Sequence, residues 1–531
     1  MRTLTGAGAL VRLILRRDRV RLAVWIVAVV GLMVSFAASS ADLYPTPESL
    51  QARAVIMDSP LGVAFSGPRI GLENYTFGAM LSNEYVGFVA VTLALMSVFL
   101  IVRSTRVEEQ AGRAELVRAA VVGRHASAVA ALVVVVAAQL IIGIAIALLL
   151  PGTGLGLSVE GSWLFAASVV AVGVAFAGLA LVVSQITSHS RTAVGYGAGI
   201  VGLAYTIRAV GDVADSSLSM LSPIGWAQAT APYVEDDWLP LVIALVFFAA
   251  STWVALVLTT HRDLGEGLVA SRPGPRDGTP LLGRPIGLAL RLQRGLLIGW
   301  GIGLFVLASS YGGFVRDVEE FAGENPFIEE ALSAIGGGTL GESWASFLAL
   351  FMVALVASFA VQATLRLRSE ESESRAEQVL ATPVERWRWM SSYLVVAAIG
   401  SVILTVLIGL GFGLTAASVT GDSGWVLQSI GATLSHLPAV AVVMGVAAAL
   451  FGLLPRLTYL AWMMIAVVWV GLMGVVIGLP EWVSNLSPFG YGALIPAEDL
   501  EIVPVIVLSL IAVILIASGV VGFRRRDIGT A

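Results

Sequence analysis

The sequence predicts an all-α polytopic membrane protein whose 12 transmembrane helices form two parallel six-helix repeats. Three observations carry that reading. Hydrophobic residues make up 57% of the 531 residues and charged residues only 13%, about half the ~25% charge of a soluble domain. With a mean hydropathy of +0.89, too few polar residues exist to cover a soluble surface. One charged stretch is written twice: RVEEQAGRAELVRAAVVGR over 106–124 and RSEESESRAEQVLATPVER over 368–386, with ten of nineteen positions identical, no gap and an offset of 262. Finally, the sign of charge alternates between successive loops.

Taking about 20 apolar residues per span, the first half has runs near 21–40, 84–103, 125–150, 163–185, 192–213 and 238–260. The second has runs near 295–313, 343–365, 389–416, 425–452, 457–479 and 502–523. Six spans per half is an even number, so both halves enter from the same side and the repeat is parallel. With the N-terminus inside, inner segments hold 27 Arg and outer segments four: Arg53, Arg69, Arg208 and Arg316. Acidic residues go the other way, about 23 outside and 13 inside. That is the positive-inside pattern, and it places both termini in the cytoplasm.

The first run starts Arg-rich and has small residues at Ala37-Ala38-Ser39-Ser40, as a signal peptide does. It is read as a retained span because it shares in the repeat. Leu15, Arg16, Arg19 and Trp25 align with Leu290, Arg291, Arg294 and Trp300 at an offset of 275. Leu221-Ser222-Pro223 and Leu486-Ser487-Pro488 echo each other at 265 and suggest a short re-entrant turn or a Pro-broken helix start. The domains are therefore 1–260, a Gly/Pro-rich linker at 261–285, and 286–531. Residues 6–20 and 286–295 mix Leu and Ile with Arg at helical spacing. Each reads as a helix in the interface plane or as an early start of the following span.

The repeated stretch reads as a short charged helix in the first inner loop of each half, about 105–122 and 368–384. Glu109 with Arg113, and Glu371 with Arg375, have i,i+4 spacing, and Thr105 with Glu108 has capping-box spacing. A solvated loop helix obeying the positive-inside pattern has the same composition. However, charge bias requires only Arg, not Glu-Glu and Arg-Ala-Glu at fixed positions in both halves.

Several function classes are disfavoured. All 31 basic residues are Arg, so a Walker A loop, which needs Lys, is absent. There is no cysteine, and the four His are scattered without metal-ligand spacing. Glu319-Glu320 and Glu329-Glu330 lie in acidic outer stretches that read as solvated rather than catalytic. The spans read as nearly free of charge, which argues against an ion relay. Candidates for a substrate pathway are therefore aromatic or Met: Phe88, Met96, Phe99, Tyr196 and Tyr205, then Phe347, Phe351, Met352, Trp462, Met463 and Trp469.

Residues 377–387, EQVLATPVERW, resemble the E-Q-L-L-x-T-P-x-x-R-W stretch of ABC-2 type exporter permeases. The Glu-rich run before it and the span after it match as well. The first-half copy, Glu115-Leu116-Val117-Arg118, lacks the Thr-Pro. A fused, Arg-rich, Lys-free chain is similar to actinobacterial polyketide-antibiotic exporters of the tetronasin-resistance type and to multidrug exporter permeases. The resemblance implies an ABC-2 type, type V exporter-like fold in a bacterial plasma membrane. It also implies export of hydrophobic or amphipathic drugs, conferring antibiotic resistance, and no catalytic site in this chain. Two copies of a separate ABC ATPase subunit would bind ATP and Mg and drive the transport. Glu108, Glu109, Arg113 and Glu115, with Glu370, Glu371, Arg375, Glu377, Thr382, Pro383 and Arg386, would couple to that subunit. The alternatives are an ion-coupled twelve-span secondary drug transporter and a membrane enzyme acting on lipid-linked substrates.

Overall fold

The computed structural model describes residues 2–263, 265–269, 278–315, 318, 339–476, 481–492, 494–498 and 500–527. Among these there is no β-strand. The chain divides into unit 1, Met1–Gly274, and unit 2, Pro275–Ala531, a boundary inside the linker expected at 261–285. Residues 270–277 of that linker, and Glu319, Glu320, Glu329 and Glu330, lie outside the described residues.

The long helices of unit 1 are α1 (Ala7–Leu43), α2 (Val86–Ser104), α3 (Ala126–Leu149), α4 (Val159–Ile186), α5 (Ser190–Val213) and α6 (Pro240–Thr259). Those of unit 2 are α7 (Pro285–Gly312), α8 (Leu340–Thr364), α9 (Arg386–Thr420), α10 (Leu437–Leu453), α11 (Leu460–Val476) and α12 (Ile502–Arg525). Among the described residues, eleven helical stretches are long and apolar enough to cross a membrane. The expected twelfth, 457–479, has 17 described helical residues in α11, and 477–479 lie outside the described residues.

Residues 6–20 and 286–295 form no separate helices. They are the first turns of α1 and α7, which run unbroken into their apolar parts. The run expected at 425–452 is divided: a helix Gly424–Ser435 ends at His436, and α10 begins with Pro438 in its first turn. Proline has no N–H to donate and clashes with the preceding turn, which ends the earlier helix.

Packing follows the same order in each unit. The first long helix packs on the third, the second on the fourth, and the fourth on the sixth. In unit 1, α4 is the central helix. Small residues admit its neighbours: a Cβ on Gly173 would sit 2.6 Å from the Gln139 amide. That amide donates to the Leu93 carbonyl and to the Ser97 hydroxyl at 3.0 and 2.8 Å, and Ser97 donates to the Gly173 carbonyl at 2.7 Å. This fully buried polar knot ties α2, α3 and α4 together, the usual device where apolar packing alone gives no net drive. In unit 2, α10 and α12 cross backbone to backbone at Gly452 and Gly519.

Two expectations about charge change. Arg208 is not an outer-loop residue. It lies on α5, fully buried, 3.4 Å from Asp212 and over the Tyr205 ring at 4.3 Å. The apolar helices also carry Glu84, in a π-helical turn Leu81–Tyr85 that leads into α2. Arg53 holds Glu84 at 2.7 Å and Tyr75 donates to it at 2.9 Å. The loop bearing Arg53 is not simply solvated, because Leu50, Ala54, Met57 and Tyr75 form a small buried cluster. In both Leu-Ser-Pro segments the serine hydroxyl caps a short Pro-started helix, accepting from Ile224 and Phe489 N–H groups at 3.2 Å.

Candidate functional site

The repeated charged stretch forms two short helices in each unit. In unit 1 these are Arg106–Gln110 and Arg113–Arg118, separated by Gly112 at φ +71°. In unit 2 they are Arg366–Ser372 and Arg375–Leu380, separated by Ser374 at φ +56°. The left-handed residue breaks the helix at the same register in both, where a single helix was expected. With the helix broken, the i,i+4 pairs do not form. Arg113 pairs instead with Glu108 through two hydrogen bonds of 2.8 and 2.9 Å. Arg375 pairs likewise with Glu370 at 2.8 and 3.0 Å. Both guanidiniums are raised above their ordinary pKa by these carboxylates. Thr105 forms no capping box; its hydroxyl donates to the Ile101 carbonyl at 2.7 Å.

The second glutamate of each Glu-Glu pair faces the other way. Glu109 lies 2.8 Å from Arg106 and accepts from Arg262, just after α6, at 2.6 and 3.0 Å. Glu371 accepts from Arg526, just after α12, at 2.8 Å, with Arg368 at 3.5 Å. In each unit, then, the charged element is bound to the end of the last long helix through a largely buried ion pair. Arg106 is fully buried and also donates to backbone carbonyls at Ser184, Gln185 and Glu266. Arg262 and Arg526 escaped the sequence reading. The signal was present: Arg262-Asp263-Leu264-Gly265 and Arg526-Asp527-Ile528-Gly529 repeat at an offset of 264.

The remaining expected residues separate by exposure. Glu115 and Glu377 are exposed, with no ion-pair partner among the described residues. Thr382 and Pro383 are exposed beside Glu377, and Leu116 and Val121 are 76% and 88% exposed. Arg386 turns inward and donates to the Arg526 carbonyl at 2.7 Å.

The pathway candidates do not form one set. In unit 2, Phe347, Phe351 and Trp469 come together, with ring centroids 4.4 and 5.9 Å apart. Met352 lies beside them in the core, while Trp462 and Met463 are exposed on α11. In unit 1, Met96 is fully buried, Phe88 and Tyr196 are exposed, Phe99 stacks on Trp25 at 6.5 Å, and Tyr205 serves the Arg208 cluster.

The chain is 36% identical to the multidrug efflux system permease protein Rv1217c of Mycobacterium tuberculosis (strain ATCC 25618 / H37Rv), over 99% of this chain and 95% of that protein. It belongs to the Rv1217c permease family. A family model described as the C-terminal domain of the multidrug efflux system permease Rv1217c matches residues 282–524. The stretch covered by this Rv1217c domain contains the whole second charged element and ends two residues before Arg526.

Proposed function

We propose that this chain is the membrane permease of an ATP-driven multidrug exporter, moving hydrophobic or amphipathic compounds out of the cell. In this reading it has twelve spans in two six-span halves, an ABC-2 type fold, and a place in an actinobacterial plasma membrane with both termini cytoplasmic. It has no ATPase site of its own. Two copies of a separate ATPase subunit bind ATP and Mg and dock on the elements at 106–124 and 368–386. The relative's name supports drug efflux. One observation carries the coupling role: each charged element is pinned to its unit by Glu109–Arg262 or Glu371–Arg526, while its tip, with Glu115 or Glu377, stays exposed. A partner pressing on that tip moves the end of the last helix with it. The aromatic cluster of Phe347, Phe351 and Trp469 suits an apolar cargo.

The test is reconstitution in vesicles. The chain alone should neither hydrolyse ATP nor move drug, and adding the ATPase subunit should confer both activities. An ion-coupled carrier would draw on the buried carboxylates Glu84 and Asp212, yet each already has an arginine partner. Transport that collapses with a protonophore at constant ATP would overturn the ATP-driven reading in favour of that carrier.

A further inference from the structure

In unit 1 a cavity of about 80 Å³ opens between the start of α1, the two charged helices, the start of α3 and the end of α6. Leu10, Leu13 and Ile14 form its apolar wall. Around it stand four guanidiniums, Arg17, Arg113, Arg124 and Arg262, against two carboxylates, Glu108 and Glu109. Arg124 has no hydrogen-bond or ion-pair partner among the described residues. The site therefore holds an excess of positive charge, and one cation within it is free.

The second half fills the corresponding space. In the repeat register, Ser127 and Ala128 correspond to Trp389 and Met390, and Thr259 to Phe523. Trp389, Phe523 and Phe451 are almost fully buried and pack in series as tilted rings, with centroids 5.5 and 5.4 Å apart. Arg17 corresponds to Leu292, and Arg386, the counterpart of Arg124, is taken up by the Arg526 carbonyl. Three large side chains plug unit 2 where unit 1 has three small ones and one cation unpaired among the described residues, Arg124; Arg17 is held by Glu108 and Asp18 at 2.6 and 2.5 Å. A hollow with this charge, whose counterpart in the second half is plugged, is built for a ligand.

The apolar wall identifies the rest of that ligand. Leu13, Val20, Val24 and Val27 share one face of α1 and are 54%, 69%, 60% and 70% exposed. The fourteen steps from Leu13 to Val27, at about 1.5 Å rise each, give a strip of roughly 21 Å, long enough for the ~15 Å hydrocarbon half-thickness of a bilayer. We propose that the cavity binds the phosphate of an anionic phospholipid, with an acyl chain lying along this strip. The proposal rests on α1 being embedded in a bilayer, and not on the ATPase partnership.

The test uses the purified full-length chain in detergent, titrated with phosphatidylglycerol, phosphatidylcholine or inorganic phosphate. Bound lipid is counted by native mass spectrometry. One phosphatidylglycerol should be retained about tenfold more tightly than phosphatidylcholine, and Arg124→Gln should remove that preference, as expected for one charge-assisted hydrogen bond. Ser127→Trp, which restores the second half's ring, should exclude the lipid. Inorganic phosphate should not displace it. Equal retention of the two lipids, wild-type binding by Arg124→Gln, or displacement by millimolar phosphate alone would each overturn the proposal. Arg124 is exposed, so its variant decides the matter even if Ser127→Trp does not fold.

Discussion

Replacing Glu109 by Gln keeps the shape of the side chain and removes the charge that Arg106 and Arg262 share. Arg106 is fully buried and the Arg262 side chain is 6% exposed, so both guanidiniums would face each other with no counter-ion. Breaking a buried pair costs about 3–5 kcal/mol. Glu109 is 11% exposed, which places the cost at the lower end, about 3 kcal/mol. At about 1.4 kcal/mol per factor of ten, local detachment of the charged element becomes on the order of 100-fold more frequent. Amide hydrogen exchange reports such openings directly. Protection across 106–118 and 265–269 should fall by that factor, with the centre of α4 unchanged. Glu108→Gln is the control. Its partners Arg113 and Arg17 are 56% and 26% exposed, and exposed pairs contribute about 0.2–1 kcal/mol each, so protection should fall by about two- to thirtyfold, less than in Glu109→Gln. If the two variants open equally, or Glu109→Gln opens less than tenfold, the division of labour between adjacent glutamates is refuted.

Further outcomes follow from other sites. Gly452→Val should lower the melting midpoint by an amount equivalent to about 3 kcal/mol, since its Cβ would overlap the Gly519 carbonyl and neither backbone can retreat; thermal unfolding followed by size-exclusion chromatography measures it. Arg53→Gln and Glu84→Gln should each destabilise by about 3 kcal/mol, and the double variant by clearly less than their sum, as read by denaturation of the four proteins. Charge reversal at the exposed tips, Glu115→Arg with Glu377→Arg, should leave the melting midpoint unchanged. In a co-purification assay it should abolish retention of an ATPase subunit.

How much of this was legible in the sequence depended on whether a feature is local or relies on a partner far along the chain. The duplicated stretch located the charged elements because identity at fixed offset needs no structure. Its internal pairing was misread because i,i+4 spacing assumes an unbroken helix, and the left-handed residues Gly112 and Ser374 shift Arg113 and Arg375 onto the glutamate five positions back. Gly112 hinted at the break; Ser374 carried no such hint, since a non-glycine residue rarely adopts that conformation. Arg208 lies inside the run at 192–213 yet counts with the outer charges by its sign alone; Asp212 one turn later, with the Tyr205 ring, is what lets it stay buried within that helix. The anchoring role of Arg262 and Arg526 stayed hidden because each pairs with a residue about 155 positions away, which only the folded chain brings near.

The glycine crossing of α10 and α12 has a mechanical consequence. Two helices whose backbones touch cannot slide or roll past one another without separating, so they turn as a single stiff bar. In unit 1, Gly178 of α4 instead receives the side chains of Ser251 and Phe248 of α6, which also leave little room between those two helices. A push delivered at Glu109 or Glu371 is therefore not dissipated as slippage along the last helix. In the proposed exporter it would become tilt of a two-helix lever, whose angular throw would set how far the unit's opposite end opens.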